Sequence, residues 1–252
     1  MAFRLDLATG EFFDIPFEDS RAAIVRGGYG TKLVGKMIFM NHTPEDRTDD
    51  FRRGFVYDLV TEELELIERP GFDDIGFTAM NVDGLITGFN DFGELGFVYD
   101  RGTFTDLTND GAYRLFPFAI NADPTIVGAW GATEDDWYEE TKGSGFVATP
   151  DPLEGFRSEE VAFPGYVAGY LTGINDAGAF TGTGFKTVNS YRVLLRGESL
   201  DRAPEPVPFA KDYEPIPNRD WLHGHYLRAS HGSGGQEGLR RARHAGWSIL
   251  HL

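Results

Sequence analysis

His223 and His225 stand two residues apart in the segment IPNRDWLHGHY, Ile216 to Tyr226. On an extended strand, residues two apart project from one face. Both imidazoles would then share a surface. Imidazole titrates near neutral pH, and paired with a basic amine it can divide the acid and base roles of a proton transfer. Lys36 is the candidate amine. Catalytic roles are therefore assigned to His223, His225 and Lys36. Two histidines on one face also suit a metal. No third ligand is identifiable, so no metal is assigned, and a divalent ion such as calcium could serve only to staple a turn. Trp130, Trp137, Trp221 and Tyr226 are assigned to apolar and π contact with a substrate. Asp136 and Glu139 join them, because the stretch GATEDDWYEETKGS (131–144) mixes carboxylates with aromatics in a way that suits a sugar or a cation. Carboxylate pairs also serve glycoside hydrolysis, at separations a sequence does not show. The plainer readings are a solvated acidic loop for 131–144 and polar packing contacts for the lysine and histidines.

These residues need elements to hold them. Gly224, between the two histidines, aligns with Gly35, Gly88, Gly128 and Gly182 in YGTKLVGKM, VDGLITGFN, ADPTIVGAW and DAGAFTGTG. Two residues before each glycine stands Leu33, Ile86, Ile126, Phe180 or Leu222, always large and apolar. That alternation is a strand signal, and the Asn/Asp/Gly cluster before it is a hairpin turn. Pro124 replaces the turn glycine found at Gly84 and Gly178, so the third turn must be built differently. The opposite strand face varies between copies: Lys36, Phe89, Ala129, Thr183 and His225 are equivalent. Variation reads as freedom from architecture, so the site is placed on this face. Long segments follow the first, third and fifth glycine strands, at 41–54, 131–144 and 227–238, and loops of that length are commonly functional.

A second hairpin alternates with the first. It begins at Phe3, Phe55, Phe97, Phe146, Tyr191 and Leu239, as in FVYDLVTEELELI and FVYDRGTFTDL. Two hairpins per repeat of about 40–50 residues is the arithmetic of a four-stranded propeller blade. Five glycine hairpins predict an all-β, five-bladed propeller of four-stranded antiparallel blades, with six blades as the alternative. The chain reads as a single domain, 1–252, in which residues 239–252 pair with the N-terminal strands and close the ring.

The pairing of GFVYDRGTFTDL with GINDAGAFTG and AMNVDGLITGFND resembles the HAF repeat family of bacterial β repeats, well over about residues 50–190 and loosely at the ends. The resemblance implies an all-β, propeller-like repeat fold and almost nothing about activity.

Composition narrows the function further. Net charge is −17 and cysteine is absent. The acidic surface disfavours nucleic acid and anionic membranes as partners, and disulfides and thiolate metal sites are excluded. The N-terminus does not read as a signal peptide, so a cytoplasmic protein is expected. The end of the chain is basic: five arginines lie beyond residue 218, with five of the six histidines. Gly30 to Lys36 has phosphate-loop spacing, but Met37 stands where the magnesium-binding hydroxyl belongs and the repeat puts the segment in a hairpin. The expected function is a small-molecule enzyme without organic cofactor, a cyclase, isomerase, lyase or hydrolase working by acid–base catalysis at a central channel. The alternative is a non-catalytic module binding a glycan or a protein.

Overall fold

A computed structural model describes residues 2–5, 9–15, 17, 20–40, 50–90, 95–108, 111, 113–131, 143–186, 192–200 and 204–207. They form an all-β structure. A two-stranded hairpin, β1 (Ala2–Leu5) and β2 (Phe12–Ile15), precedes four sheets of four antiparallel strands. The first sheet is β3 (Ala22–Tyr29), β4 (Lys32–Phe39), β5 (Phe51–Asp58) and β6 (Leu64–Ile67). The second is β7 (Ile75–Met80), β8 (Ile86–Asn90), β9 (Leu95–Asp100) and β10 (Thr103–Asp106). The third is β11 (Arg114–Ile120), β12 (Ile126–Gly131), β13 (Ser144–Asp151) and β14 (Gly155–Val161). The fourth is β15 (Ala168–Ile174), β16 (Phe180–Phe185), β17 (Arg192–Gly197) and β18 (Glu205–Pro206). In every sheet the strands pair in chain order. Successive sheets stack so that β3, β7, β11 and β15 follow one another along one side, and β7, β11 and β15 also pack on the second strand of the sheet before.

The repeat register survives in three dimensions. Gly35, Gly88, Gly128 and Gly182 each lie on the second strand of their sheet. Opposite them on the third strand stand Phe55, Phe97, Phe146 and Leu195. The absent side chain makes room for that partner: a Cβ on Gly35 would come within 2.8 Å of the Phe55 ring, and one on Gly128 within 2.6 Å of Phe146. On the other side, each glycine lets the first strand close in and bulge. The register slips immediately past the glycine's partner, between Val25/Gly27, Phe77/Ala79, Pro117/Ala119 and Leu171/Gly173. The extra residues are Arg26, Thr78, Phe118 and Thr172. A bulge re-aims the side chain it carries, so these four lie along the first strands as a special row.

Both faces of the second strand are covered by neighbouring sheets. Ile126 packs against Val98 and Leu107 of the sheet before, and Val127 against Phe163 and Leu171 of the region after. The expectation that the variable face is free of architecture is thereby corrected: Val34, Thr87 and Val127 on that face are fully buried. Stacked sheets bury alternate residues in alternate interfaces, so both parities of the strand are core. The first sheet has no complete sheet on its outer side among the described residues. There Ile15 of the N-terminal hairpin packs with Met37, Phe55 and Tyr57, and Phe17 meets the Phe55 and Tyr57 rings at 5.0 and 5.7 Å.

An asparagine ladder crosses the turns between the first and second strands. Asn81 Nδ2 donates to the Asn121 carbonyl at 3.0 Å, and Asn121 Nδ2 to the Asn175 carbonyl at 3.2 Å. Each Asn Oδ1 also accepts from its own turn. The turns at Gly84 and Gly178 add an N–H bond back to Asn81 and Asn175. Pro124 has no such donor, so the third turn relies on Thr125 N donating to Asn121 Oδ1 at 2.8 Å. The fifth repeat, the Leu239–Leu252 copy and the proposed ring closure lie outside the described residues. The segment 41–54 is shorter as a loop than its sequence suggests, because β5 begins at Phe51 and Phe51 stacks on Phe39 at 5.2 Å.

Candidate functional site

Lys36 sits on β4, paired across to Ile24 on β3 and Gly54 on β5. Its side chain is half-buried and crosses toward the second sheet, where its ammonium lies 5.5 Å from the Phe89 ring centroid. Gly76 on β7 makes this approach possible. A Cβ there would stand 3.0 Å from Phe89 Cζ and 3.3 Å from Lys36 Cδ. The nearest acid, Asp74, is committed elsewhere. It accepts from Arg52 N at 2.9 Å and forms an ion pair with the Arg52 guanidinium. Among the described residues no carboxylate pairs with Lys36. Burial first, then the charges of Arg26 and Arg52, pull the Lys36 ammonium from 10.5 down to about 8, against the opposing pull of Asp74. A lysine so placed stays mostly charged at physiological pH, but its neutral fraction is far above that of an ordinary lysine, and it can give or take a proton there.

From Phe89 a row of aromatic rings continues across the sheets. Phe89 stacks on Phe116 at 4.3 Å, Phe116 meets Phe118 at 5.0 Å, and Phe118 meets Tyr170 at 5.8 Å. The row follows from pairing. Lys36, Phe89, Ala129 and Thr183 hold equivalent positions, and their partners on the first strands are Ile24, Gly76, Phe116 and Tyr170. In the first two sheets the long side chain comes from the second strand. In the last two it comes from the first strand. Phe118 is the bulge residue of β11, half-buried, and Arg26 is the bulge residue of β3, more open to solvent. Lys36 puts positive charge at one end of this row, with Arg26 near enough to act on it; Phe89 and Phe116 are themselves buried, so of the rings only Phe118 and Tyr170 are partly open.

Of the candidates named from sequence, the structure describes Lys36 and Trp130. It does not bring them together. Trp130 follows Ala129, so it faces the other way, toward the second sheet, where it packs against the cluster of Val98, Leu107 and Leu115. Its indole N–H is buried without a partner among the described residues. His223, His225, Trp137, Trp221, Tyr226, Asp136 and Glu139 lie outside the described residues. Phe116, Phe118 and Tyr170 stand on first strands, where the glycine column does not point, so sequence reasoning from that column misses them. The preceding strand read in the same register, through RLFPFAI and AGYLTGI, exposes them. Among the described residues no group of three or more His, Asp or Glu side chains is arranged to hold a metal.

The class this geometry defines is an all-β, propeller-like succession of four-stranded sheets. No protein-family model matches the chain, and no curated protein matches it. A solved structure from work on two prolyl endopeptidases, and the role of inter-domain dynamics in their catalysis and specificity, is similar over 83% of this chain and 39% of that chain. The identity is 14% and the TM-score 0.44. The chain spans well under half of that structure's length. Similarity of this degree carries no inference about activity.

Proposed function

We propose that the protein binds a small organic molecule along the line from Lys36 to Phe118 and acts on it by proton transfer. It would be an isomerase, cyclase, lyase or hydrolase needing no organic cofactor. The observation that carries this reading is the placing of Lys36: half-buried, against an aromatic ring, with its nearest carboxylate held by an arginine. A lysine serving only packing or solubility is better placed beside an acid or in water. His223 and His225 are the proposed partners of Lys36. The proposed frame is a five-bladed ring, in which the N-terminal hairpin and the segment beyond residue 207 make the fifth blade. Two features favour it: the hairpin covers the outer side of the first sheet, and the repeat supplies a fifth glycine strand at Gly224.

The test starts from turnover. Purified protein is incubated with a metabolite extract, and consumed and formed masses are followed by mass spectrometry. Turnover seen with wild type should be lost in Lys36→Ala and in the His223→Ala/His225→Ala pair, with circular dichroism unchanged. Turnover surviving Lys36→Ala would sink the catalytic reading. A chain ended at residue 207 tests the ring: the reading requires it to lose cooperative unfolding.

A further inference from the structure

We infer that Lys36 is a site of reversible modification by carbon dioxide, its amine becoming a carbamate that faces Arg26 and Arg52. Three cations are gathered on the first sheet. Lys36 pairs with Gly54, and Arg52, two residues before Gly54, leaves β5 on the same side. Arg26 is the bulge residue of β3, two past Ile24, the partner of Lys36 on that strand. One carboxylate reaches this group, Asp74, and it is held by Arg52. Neither Lys36 nor Arg26 has an ion pair among the described residues. From the second sheet Lys36 meets Gly76 along its stem and the Phe89 ring near its ammonium. A positive cluster left short of acids is out of character for a chain of net charge −17.

Carbamate formation starts from the free amine, and burial beside two like charges enlarges that form. The nitrogen lone pair attacks the carbon of carbon dioxide, one C=O electron pair moves onto oxygen, and the nitrogen gives up a proton to water. Amine plus carbon dioxide becomes carbamate plus a proton. One positive charge is thereby replaced by one negative charge. The repulsions of Lys36 with Arg26 and Arg52 turn into attractions, and a guanidinium suits a flat anion with two oxygens. No ligand cavity is required. Three heavy atoms are added to a side chain that is half-buried, beside an Arg26 that is exposed. A free anion would depend on contacts alone, whereas a carbamate is held by its own N–C bond. A carbonyl compound suits the place less, because the iminium it forms with lysine keeps the positive charge among the same arginines. Carbamate also takes the amine out of proton transfer, so under the function proposed above dissolved carbon dioxide would set the active fraction of the protein.

The chain has five lysines, so the site can be mapped residue by residue. The full-length protein is equilibrated at pH 8 with 13C-labelled carbon dioxide and bicarbonate. Carbamates are trapped by ethylation with a trialkyloxonium salt, and the labelled peptides are located by mass spectrometry. The expected result is trapped label at Lys36, at least tenfold above that at each of the other four lysines, with the N-terminal amine as the marker that trapping worked. Arg26→Gln, a change at an exposed side chain, should cut the Lys36 label several-fold with circular dichroism unchanged, and Arg26→Lys should restore part of it. Label spread evenly over the lysines, or absent from Lys36 while the N-terminal amine carries it, overturns the inference. An Arg26→Gln protein labelled as fully as wild type overturns the role given to the arginine. The functional proposal fails separately. Turnover lost in Lys36→Ala with no label at Lys36 would sink the carbamate alone, and label at Lys36 with turnover surviving Lys36→Ala would sink the proton transfer alone.

Discussion

Replacing Lys36 by methionine keeps the stem and removes the charge, and the structure sets both sign and size of the effect. Lys36 titrates at about 8 in the folded protein against 10.5 for an unperturbed lysine. The folded state therefore binds fewer protons than the unfolded chain between those two pH values, and stability rises with pH across that window. Below about 8 the penalty is fully present; above about 10.5 it is gone. A tenfold change in proton affinity is worth about 1.4 kcal/mol, so holding a charged Lys36 costs about 3 kcal/mol at pH 7, an upper figure for a half-buried group that solvent partly screens. Lys36→Met should thus be more stable than wild type at pH 7, by up to that amount, through relief of this cost. Urea unfolding of both proteins at pH 7, 8, 9 and 10 is the assay, read as the difference between them so that other titrating groups cancel. The difference should shrink steadily as pH rises. A constant difference, or a variant less stable than wild type at pH 7, would refute the account of Lys36 as a destabilising, functionally retained charge. Loss of ligand binding in the same, more stable variant would fit the general exchange of stability for function.

Gly128→Ala should destabilise more than Gly182→Ala. A Cβ on Gly128 would meet the Phe146 ring at 2.6 Å and overlap the Phe116 carbonyl, whereas on Gly182 the Tyr170 oxygen lies at 2.8 Å and the next atoms at 3.7 Å. Overpacking costs typically about 1–3 kcal/mol, and equal melting temperatures for the two variants would contradict this. Asn121→Ala removes the bond to the Asn175 carbonyl and the acceptor for Thr125 N. We expect a loss of about 1–3 kcal/mol in chemical denaturation, with Asn121→Asp losing less because it keeps the acceptor. Arg69 grips both Asp106 oxygens at 2.8 and 3.0 Å and lies over the Phe72, Phe97 and Phe104 rings. Lysine lacks the fork and the plane, so Arg69→Lys should lower the melting temperature nearly as far as Arg69→Ala; full rescue by lysine would show that charge alone matters there.

Much of the scaffold is written in local pattern. The GFxYD signal found at Gly54–Asp58 marks a third strand and its turn: Asp58 Oδ1 accepts from Val60 N at 2.8 Å and from Thr61 N at 3.4 Å, and the bond from Val60 leads in holding its carboxyl below the usual range. Asp151 does the same at its turn, with Leu153 and Glu154. Turn chemistry of this kind acts within a few residues and can be read from them. Lys36 also carries through, since its place after a recurring glycine fixes which side of the strand it leaves. The site around it was not legible. Gly76 looks like any strand glycine until Phe89 and Lys36 are seen to occupy its space.

By itself the sequence determined the strands, their pairing in meander order and the glycine column, because period-two alternation and turn residues are local. Only the tertiary structure decided that both faces of the glycine strand are buried, that a bulge beside each glycine aims Arg26 and Phe118 along the first strands, and that Asp74 is spent on Arg52. Those facts depend on residues tens of positions apart meeting across sheets. The same local pattern could present Lys36 to water, to an acid or to a ring. Stacking of the second sheet on the first, through a glycine that yields its volume, chooses the ring.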